Sequence, residues 1–156
     1  MRLLYVKPEL RDLSQGSRIA FVRQFRFMSQ DNVSDKLGLT GECKRTMTRY
    51  ERGNRNHKFD RTKEIACILN IEYNAIKKYD FINPIDMIYM FMWLEELLPR
   101  YEIDISNVPN INNDNLNVIR SFLEEWEIKR KKRLNQEISY KEYMEWKLTY
   151  EVKSYE

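Results

Sequence analysis

The sequence predicts a mainly all-α protein. In most of the chain, apolar residues recur three and four positions apart, which is the spacing of one helix face. With 156 residues, 42% of them hydrophobic and 13% aromatic, the chain can bury the core of one ordinary domain or of two small ones.

The segment 27–53 predicts two short helices joined by a turn. Ser29 can cap the first of these helices, and Gly38 supplies the backbone freedom that ends it. Val33 and Leu37 lie four positions apart and form its apolar face.

The second helix has one apolar and one cationic face. Met47 and Tyr50 repeat the inward spacing, whereas Lys44, Arg45 and Arg49 project from the other side. A capped helix, a turn and a basic helix, in this order, are what a helix-turn-helix reader of DNA requires.

Cations dominate residues 44–58, which carry six Lys or Arg and a single acid, Glu51. The cations stand at positions 44, 45, 49, 52, 55 and 58. A solvated surface helix usually mixes charges of both signs, so a plain solvated face is the less favoured interpretation.

Charge also divides the chain into two halves. Residues 1–80 carry 17 Lys or Arg against 10 Asp or Glu, a net +7, whereas residues 81–156 carry 10 against 14, a net −4. Chance alone could produce this asymmetry. Beside the motif, it indicates a half that attracts a polyanion and binds it in a salt-dependent manner.

Residues 15–80 resemble the Xre family, the Cro and phage-repressor type of helix-turn-helix domain. The resemblance implies a five-helix, lambda-repressor-like DNA-binding module. It rests on the order and spacing of the following residues: Arg18, Ile19, Arg23, Ser29, Gln30, Leu37, Gly38, Tyr50, Glu51, Gly53, Ile65, Ala66, Leu69 and Ile71.

The chain departs from the family pattern at two places. The stretch between Gly38 and Tyr50 is longer than the family's usual turn and recognition helix, with Thr40, Gly41 and Glu42 as the insertion. His57 stands where the family usually has proline. We therefore expect a longer turn before the recognition helix.

The resemblance implies a role for each matching position. Lys44, Arg45 and Arg49 would read base edges, and such cations most often pair with guanine in the major groove. Thr46 and Thr48 would reach phosphates or thymine methyl groups.

Gln30 would contact the DNA backbone or adenine at the start of its helix. Arg52 and Arg55 complete the predicted DNA-binding set. Arg23 and Glu51 would form a largely buried ion pair between the first helix and the end of the recognition helix.

No catalytic group, metal site or cofactor site is predicted. Cys43 and Cys67 fit no disulfide framework, and the single histidine, His57, excludes a Cys-His metal site of the usual kind. Glu95 and Glu96 are neighbours on a predicted helix, so we expect their side chains to diverge.

The start of the sequence, MRLLYVKPELRD, contains too short a run of apolar residues for a signal peptide or a membrane span. We expect a cytoplasmic, reduced protein.

Residues 81–100 form the most hydrophobic segment. Pro84 can begin a helix and Pro99 can stop it, and this helix is apolar almost all round. We expect it to be both the central helix of residues 81–156 and a dimer seam. The alternative is that its methionines bind a small apolar effector.

The rest of the chain predicts two more helices. A strand or extended connection at 101–113 precedes a long helix, 114–134, which ends in KRKKR at 129–133. This basic run is either a second DNA contact or, more often, a solvated helix end.

Ser139 and Glu142 form a capping box that opens the final helix. The aromatic stripe of this helix is Tyr143, Trp146 and Tyr150. It is normally core or subunit contact, although such a stripe can also stack single-stranded bases.

These observations predict a sequence-specific, double-stranded DNA-binding transcriptional regulator, acting as a repressor and a homodimer. Residues 1–80 would bind DNA, and residues 81–156 would dimerise the chain and receive a signal. The alternative is a DNA-anchored protein-interaction factor, for mobile-element maintenance or antitoxin-like, whose residues 81–156 recruit another protein.

Overall fold

A computed structural model describes residues 7–97 and 114–152, and these are mainly helical with no strand among them, as the all-α prediction requires. The predicted extended connection at 101–113 and the helix stop at Pro99 lie outside the described residues. The chain divides into two compact units, Met1–Lys78 and Tyr79–Glu156. The division drawn from the sequence falls after residue 80.

The first unit contains five α-helices and one 3-10 helix within its described residues. The α-helices are α1 (Gln15–Phe25), α2 (Gln30–Lys36), α3 (Thr46–Glu51), α4 (Phe59–Leu69) and α5 (Tyr73–Ile76), and the 3-10 helix, Gly41–Arg45, precedes α3. Helix α1 packs against α3 and α5, and α2 packs against α3 and α4. Their shared core includes Ile19, Phe21, Val22, Phe25, Val33, Met47, Ile65, Leu69 and Ile76.

Local side-chain chemistry sets both ends of α2, as predicted. The Ser29 hydroxyl accepts a hydrogen bond from the Asn32 backbone N–H, and the Asn32 side chain accepts one from the Ser29 N–H. Gly38 follows the helix at φ 70°, a left-handed conformation that glycine adopts without steric cost.

The connection from α2 to α3 differs from the predicted turn. Gly41 adopts φ 59°, and the Cys43 N–H donates to the Thr40 carbonyl at 3.1 Å, so the extra residues close into the 3-10 helix. Lys44 and Arg45 therefore lie on the 3-10 helix, whereas the sequence placed them at the start of the recognition helix. Helix α3 itself has only six residues.

Gly16 brings α1 into very close contact with the end of α3. A Cβ atom at this position would lie 2.5 Å from the carbonyl oxygens of both Tyr50 and Glu51. Only glycine fits this contact without a backbone shift, so Gly16 fixes the distance between the two helices.

The second unit contains α6 (Pro84–Leu97), α7 (Asp114–Leu134) and α8 (Tyr140–Leu148) among its described residues. Helix α7 packs against both α6 and α8. The predicted start at Pro84, the predicted range 114–134 and the capping box of Ser139 and Glu142 are confirmed. None of the described helices is long and apolar enough to cross a membrane.

The aromatic stripe at the end of the chain is core, as expected for such a pattern. Tyr143 and Tyr150 are buried, and Trp146 is half-buried between them, with ring centroids 6.0 and 5.5 Å away. Tyr150 follows α8 and does not belong to it. The predicted central helix α6 buries Ile88, Tyr89, Met92 and Trp93.

The prediction that Glu95 and Glu96 diverge is wrong. Both carboxylates approach the Lys147 Nζ at 2.8 Å, and the Lys147 side chain is only 1% exposed. Adjacent residues project about 100° apart around a helix axis. Because the desolvated ammonium needs paired charges, both glutamates nevertheless turn towards it.

Candidate nucleic-acid interface

The 3-10 helix and α3 together present an exposed cationic surface. Lys44, Arg45 and Arg49 are exposed, whereas Met47 and Tyr50 pack into the core. The same short segment therefore holds the fold with one face and leaves three cations in solvent with the other.

Most cations of residues 44–58 have no intramolecular partner. Among the described residues, no ion pair or hydrogen bond engages the side chains of Arg45, Arg49, Arg52, Arg55 and Lys58. Lys44 differs, because its Nζ lies 3.4 Å from Asp35 Oδ1, but both side chains are about half exposed. An ion pair with this exposure is weak and exchanges readily for an external anion.

A concave surface adjoins these cations where α3 leads into α4. Its volume is about 310 Å³, and it is lined by Tyr50, Arg55, Asn56, His57, Lys58, Asp60, Arg61 and Glu64. The Arg61 guanidinium already binds Glu64 at 2.7 Å. Arg55 and Lys58 are the lining cations whose side chains have no partner among the described residues.

His57 supports this loop from the inside. Its ring meets the Tyr50 ring edge to face at 4.8 Å, and its Nδ1 lies 2.6 Å from the Thr62 hydroxyl. Burial lowers the pKa of His57 below its ordinary value, because the charged ring would lose hydration. His57 is thus a packed part of the loop.

An ion pair anchors the C-terminal end of α3 to α1. Arg23 Nε and Nη2 donate to the two carboxylate oxygens of Glu51 at 2.6 and 3.0 Å, and Arg23 Nη1 donates to the Met28 carbonyl at 2.9 Å. The two side chains are 12% and 7% exposed. The buried ion pair predicted between Arg23 and Glu51 is confirmed.

Gln30 lies inside this network, although the sequence placed it at the DNA. Its Nε2 donates to Glu51 Oε2 at 2.6 Å, and its Oε1 accepts the Thr48 hydroxyl at 2.8 Å. Both polar atoms of the amide are therefore engaged within the unit. Thr48 is half-buried, and its hydroxyl group already donates its hydrogen to Gln30.

Thr46 requires a correction as well. It was expected to reach phosphates or thymine methyl groups, but it is only 5% exposed. Thr46 is the first residue of α3, and at this burial its side chain is not available to an external ligand.

Ser34 and Gly16 hold the surface in place and were not predicted to do so. The Ser34 hydroxyl donates to the Lys44 carbonyl at 3.2 Å, which ties the 3-10 helix to α2. Ser34 is fully buried on the face of α2 that also carries Val33. A serine beside an apolar helix position is the signal that could have identified this contact.

The second basic run, 129–133, is different in character. Arg130 pairs with Glu95 at 3.3 Å and Lys131 with Glu127 at 2.9 Å, while Lys129 lies over the Trp146 ring. These contacts favour the solvated helix end over a second DNA contact.

The described residues contain no group of three or more His, Cys, Asp or Glu that could hold a metal ion. Cys43 and Cys67 are free and exposed.

No family model matches the chain, and neither does any curated protein or solved structure.

Proposed function

We propose that the chain is a transcriptional regulator of the Xre type that binds double-stranded DNA in a sequence-specific manner. One observation carries this proposal: the exposed, largely unpaired cations Lys44, Arg45 and Arg49 stand on a short helical segment whose other face is core. A capped helix, α2, precedes this segment in the chain, as the first helix of a helix-turn-helix motif does.

The cations divide into two roles. Arg45 and Arg49 would enter the major groove, where a guanidinium makes two hydrogen bonds to guanine O6 and N7. Arg52, Arg55 and Lys58 follow α3 and would bind phosphates, which fixes the register of the protein on the duplex. Lys44 would bind either a base edge or a phosphate after it gives up its weak contact with Asp35.

The regulator would act as a homodimeric repressor. A single helix-turn-helix reads only a few base pairs, whereas two copies related by a twofold axis read two half-sites and multiply their discrimination. Residues 81–156 would supply the dimer contact.

Selection from random DNA tests the proposed function. The full-length chain is incubated with randomised duplexes, and the bound fraction is amplified and sequenced over several rounds. We expect an inverted repeat with guanine in each half-site and centres about 10 base pairs apart. A bound pool with the composition of the input would contradict sequence-specific binding.

A second candidate function is a DNA-anchored protein-interaction factor, for mobile-element maintenance or of the antitoxin kind. Phe81, Ile82 and Met87 favour it, because they are 50%, 86% and 39% exposed in the half of the chain with a net charge of −4. Several exposed apolar side chains in one short segment favour a protein contact.

The full-length chain and its Ile82→Asp variant separate the two candidates. Each is purified from its host at low salt, and the mass of the complex is measured. A regulator yields only multiples of its own mass. The interaction factor yields a heteromeric complex that the variant loses.

A further inference from the structure

We propose that Gln30 and Thr48 are positioning residues, which set the rotation of α3 and thereby the aim of Arg45 and Arg49 without touching the bases themselves. This inference rests on the proposed function for its DNA readout. It assigns to Gln30 a role different from the DNA contact that the sequence suggests.

The polar side chains form one continuous chain of hydrogen bonds. It starts at Arg23 on α1, passes through Glu51 at the end of α3 and the Gln30 amide on α2, and ends at the Thr48 hydroxyl in the middle of α3. Glu51 is 6% exposed, and Gln30 and Thr48 are half-buried. At such burial, a hydrogen bond lost without replacement is costly.

Helix α3 depends on such external contacts for its orientation. It has six residues, and no side chain caps its N-terminus. A helix this short is not stable by itself, so packing and polar contacts decide where its side chains point.

Two groups of contacts hold α3 from different sides. Gly16 and Arg23 of α1 fix its C-terminal end. Gln30 of α2 holds Thr48, which directly precedes Arg49. Arg49 is the next residue on the same short helix and has a long side chain. A small rotation of α3 about its axis at Thr48 therefore moves the guanidinium of Arg49 by a larger distance.

The Gln30 amide has a defined orientation because of its two neighbours. Glu51 is an acceptor and therefore takes the NH₂ group, and the amide oxygen then faces the Thr48 hydroxyl. A carboxylate at position 30 would meet Glu51 with like charge. The amide can bridge this acceptor and this donor at the same time, because it carries both a donor and an acceptor group.

The test compares two conservative variants of Thr48 in the full-length chain. Thr48→Val keeps the shape of the side chain but removes the hydroxyl, whereas Thr48→Ser keeps the hydroxyl. Binding is measured to the duplex selected from random DNA and to a scrambled duplex of equal length. We expect Thr48→Val to reduce the preference about tenfold, which is ~1.4 kcal/mol, and Thr48→Ser to retain it.

A double-mutant cycle separates positioning from direct contact with DNA. If Thr48 acts through Gln30, Thr48→Val adds no further loss of preference to Gln30→Met. Additive losses would show that the two side chains act independently of each other and would overturn the inference. Unchanged preference in Thr48→Val would overturn it as well.

Amide hydrogen exchange provides a readout that does not involve DNA. We expect the amides that the helical turn of α3 protects to exchange faster in Thr48→Val and to match wild type in Thr48→Ser. Equal exchange in all three proteins would overturn the positioning role. If wild type shows no sequence preference, the proposed function fails, and the exchange rates still decide the role of Gln30 and Thr48.

Discussion

The carboxylate of Glu51 receives two hydrogen bonds from Arg23 and a third from Gln30, so a single buried side chain joins α1, α2 and α3. This acid is the only one among residues 44–58. It pairs with the largely buried guanidinium of Arg23, so residues 44–58 hold no further acid for their exposed cations.

Removing either partner of this ion pair should destabilise the fold strongly. We expect Glu51→Ala to lower the free energy of unfolding by about 3 to 5 kcal/mol, because Arg23 then keeps a desolvated charge. Urea unfolding at neutral pH measures this change. The matched control is Glu64→Ala, which breaks the more exposed pair with Arg61 and should cost at most about 1 kcal/mol. Similar losses in both variants would contradict the structural role of Glu51.

Gly16→Ala should also destabilise the first unit. The new Cβ atom would meet two backbone oxygens at 2.5 Å, and neither can move without displacing α3. We expect a loss of about 1 to 3 kcal/mol in thermal or urea unfolding. The control is Gly38→Ala, where no atom lies within 4 Å and only the left-handed backbone is strained. A change in DNA preference is expected for Gly16→Ala alone, since a Cβ atom at Gly38 would meet no other atom.

The pKa of His57 makes the stability of the fold dependent on pH. Burial lowers this pKa below the ordinary value of 6.5. Between pH 6.5 and the lower pKa of the folded state, His57 binds a proton in the unfolded chain but not in the folded protein. The neutral ring therefore makes its full contribution to stability above pH 6.5, and this contribution is lost as the pH falls through the folded pKa. We expect the free energy of unfolding to fall less steeply between pH 7 and pH 5 in His57→Gln than in wild type. The same slope in both proteins would assign the decline to other groups.

Lys147 should be essential for the second unit. Its ammonium is the shared partner of Glu95 and Glu96, and Glu95 also pairs with Arg130, so Lys147→Met removes the one cation that both carboxylates share. We expect a loss of about 3 to 5 kcal/mol in the unfolding free energy. Adding Glu96→Gln to this variant should recover part of the loss, because it removes one of the two charges. A double variant as unstable as the single one would show that packing and not charge governs the site.

The sequence predicts the local features of this protein well. The caps at Ser29 and Ser139 and the helix stop at Gly38 are correct because each depends on residues that are three or fewer positions away. The inward face of Met47 and Tyr50 is correct for the same reason. The ion pair between Arg23 and Glu51 came from the family resemblance, since nothing local joins two residues 28 positions apart.

The sequence does not predict features that depend on distant packing. Gln30 is polar and opens a helix, so the sequence suggests a DNA contact. Its actual partners, Glu51 and Thr48, lie on α3 and are within hydrogen-bond distance because α2 packs against α3. Glu95 and Glu96 converge because Lys147, 51 positions from Glu96, is buried between helices. Thr46 is buried at the start of α3, directly after a 3-10 helix that the sequence does not predict. The DNA contacts themselves stay predictions.

Binding of DNA by a charge-matched pair of variants tests the central claim most directly. Arg45→Ala with Arg49→Ala removes two cations from the proposed reading surface, and Lys132→Ala with Lys141→Ala removes two exposed cations from the second unit. Fluorescence anisotropy compares each with wild type, on duplex from upstream of its own gene and on random duplex, at two salt concentrations.

We predict that wild type and the lysine variant prefer the upstream duplex, whereas the arginine variant loses the preference and keeps a salt-sensitive background. Equal binding of both duplexes by wild type, or an arginine variant that keeps the preference, would contradict a reading surface at Arg45 and Arg49.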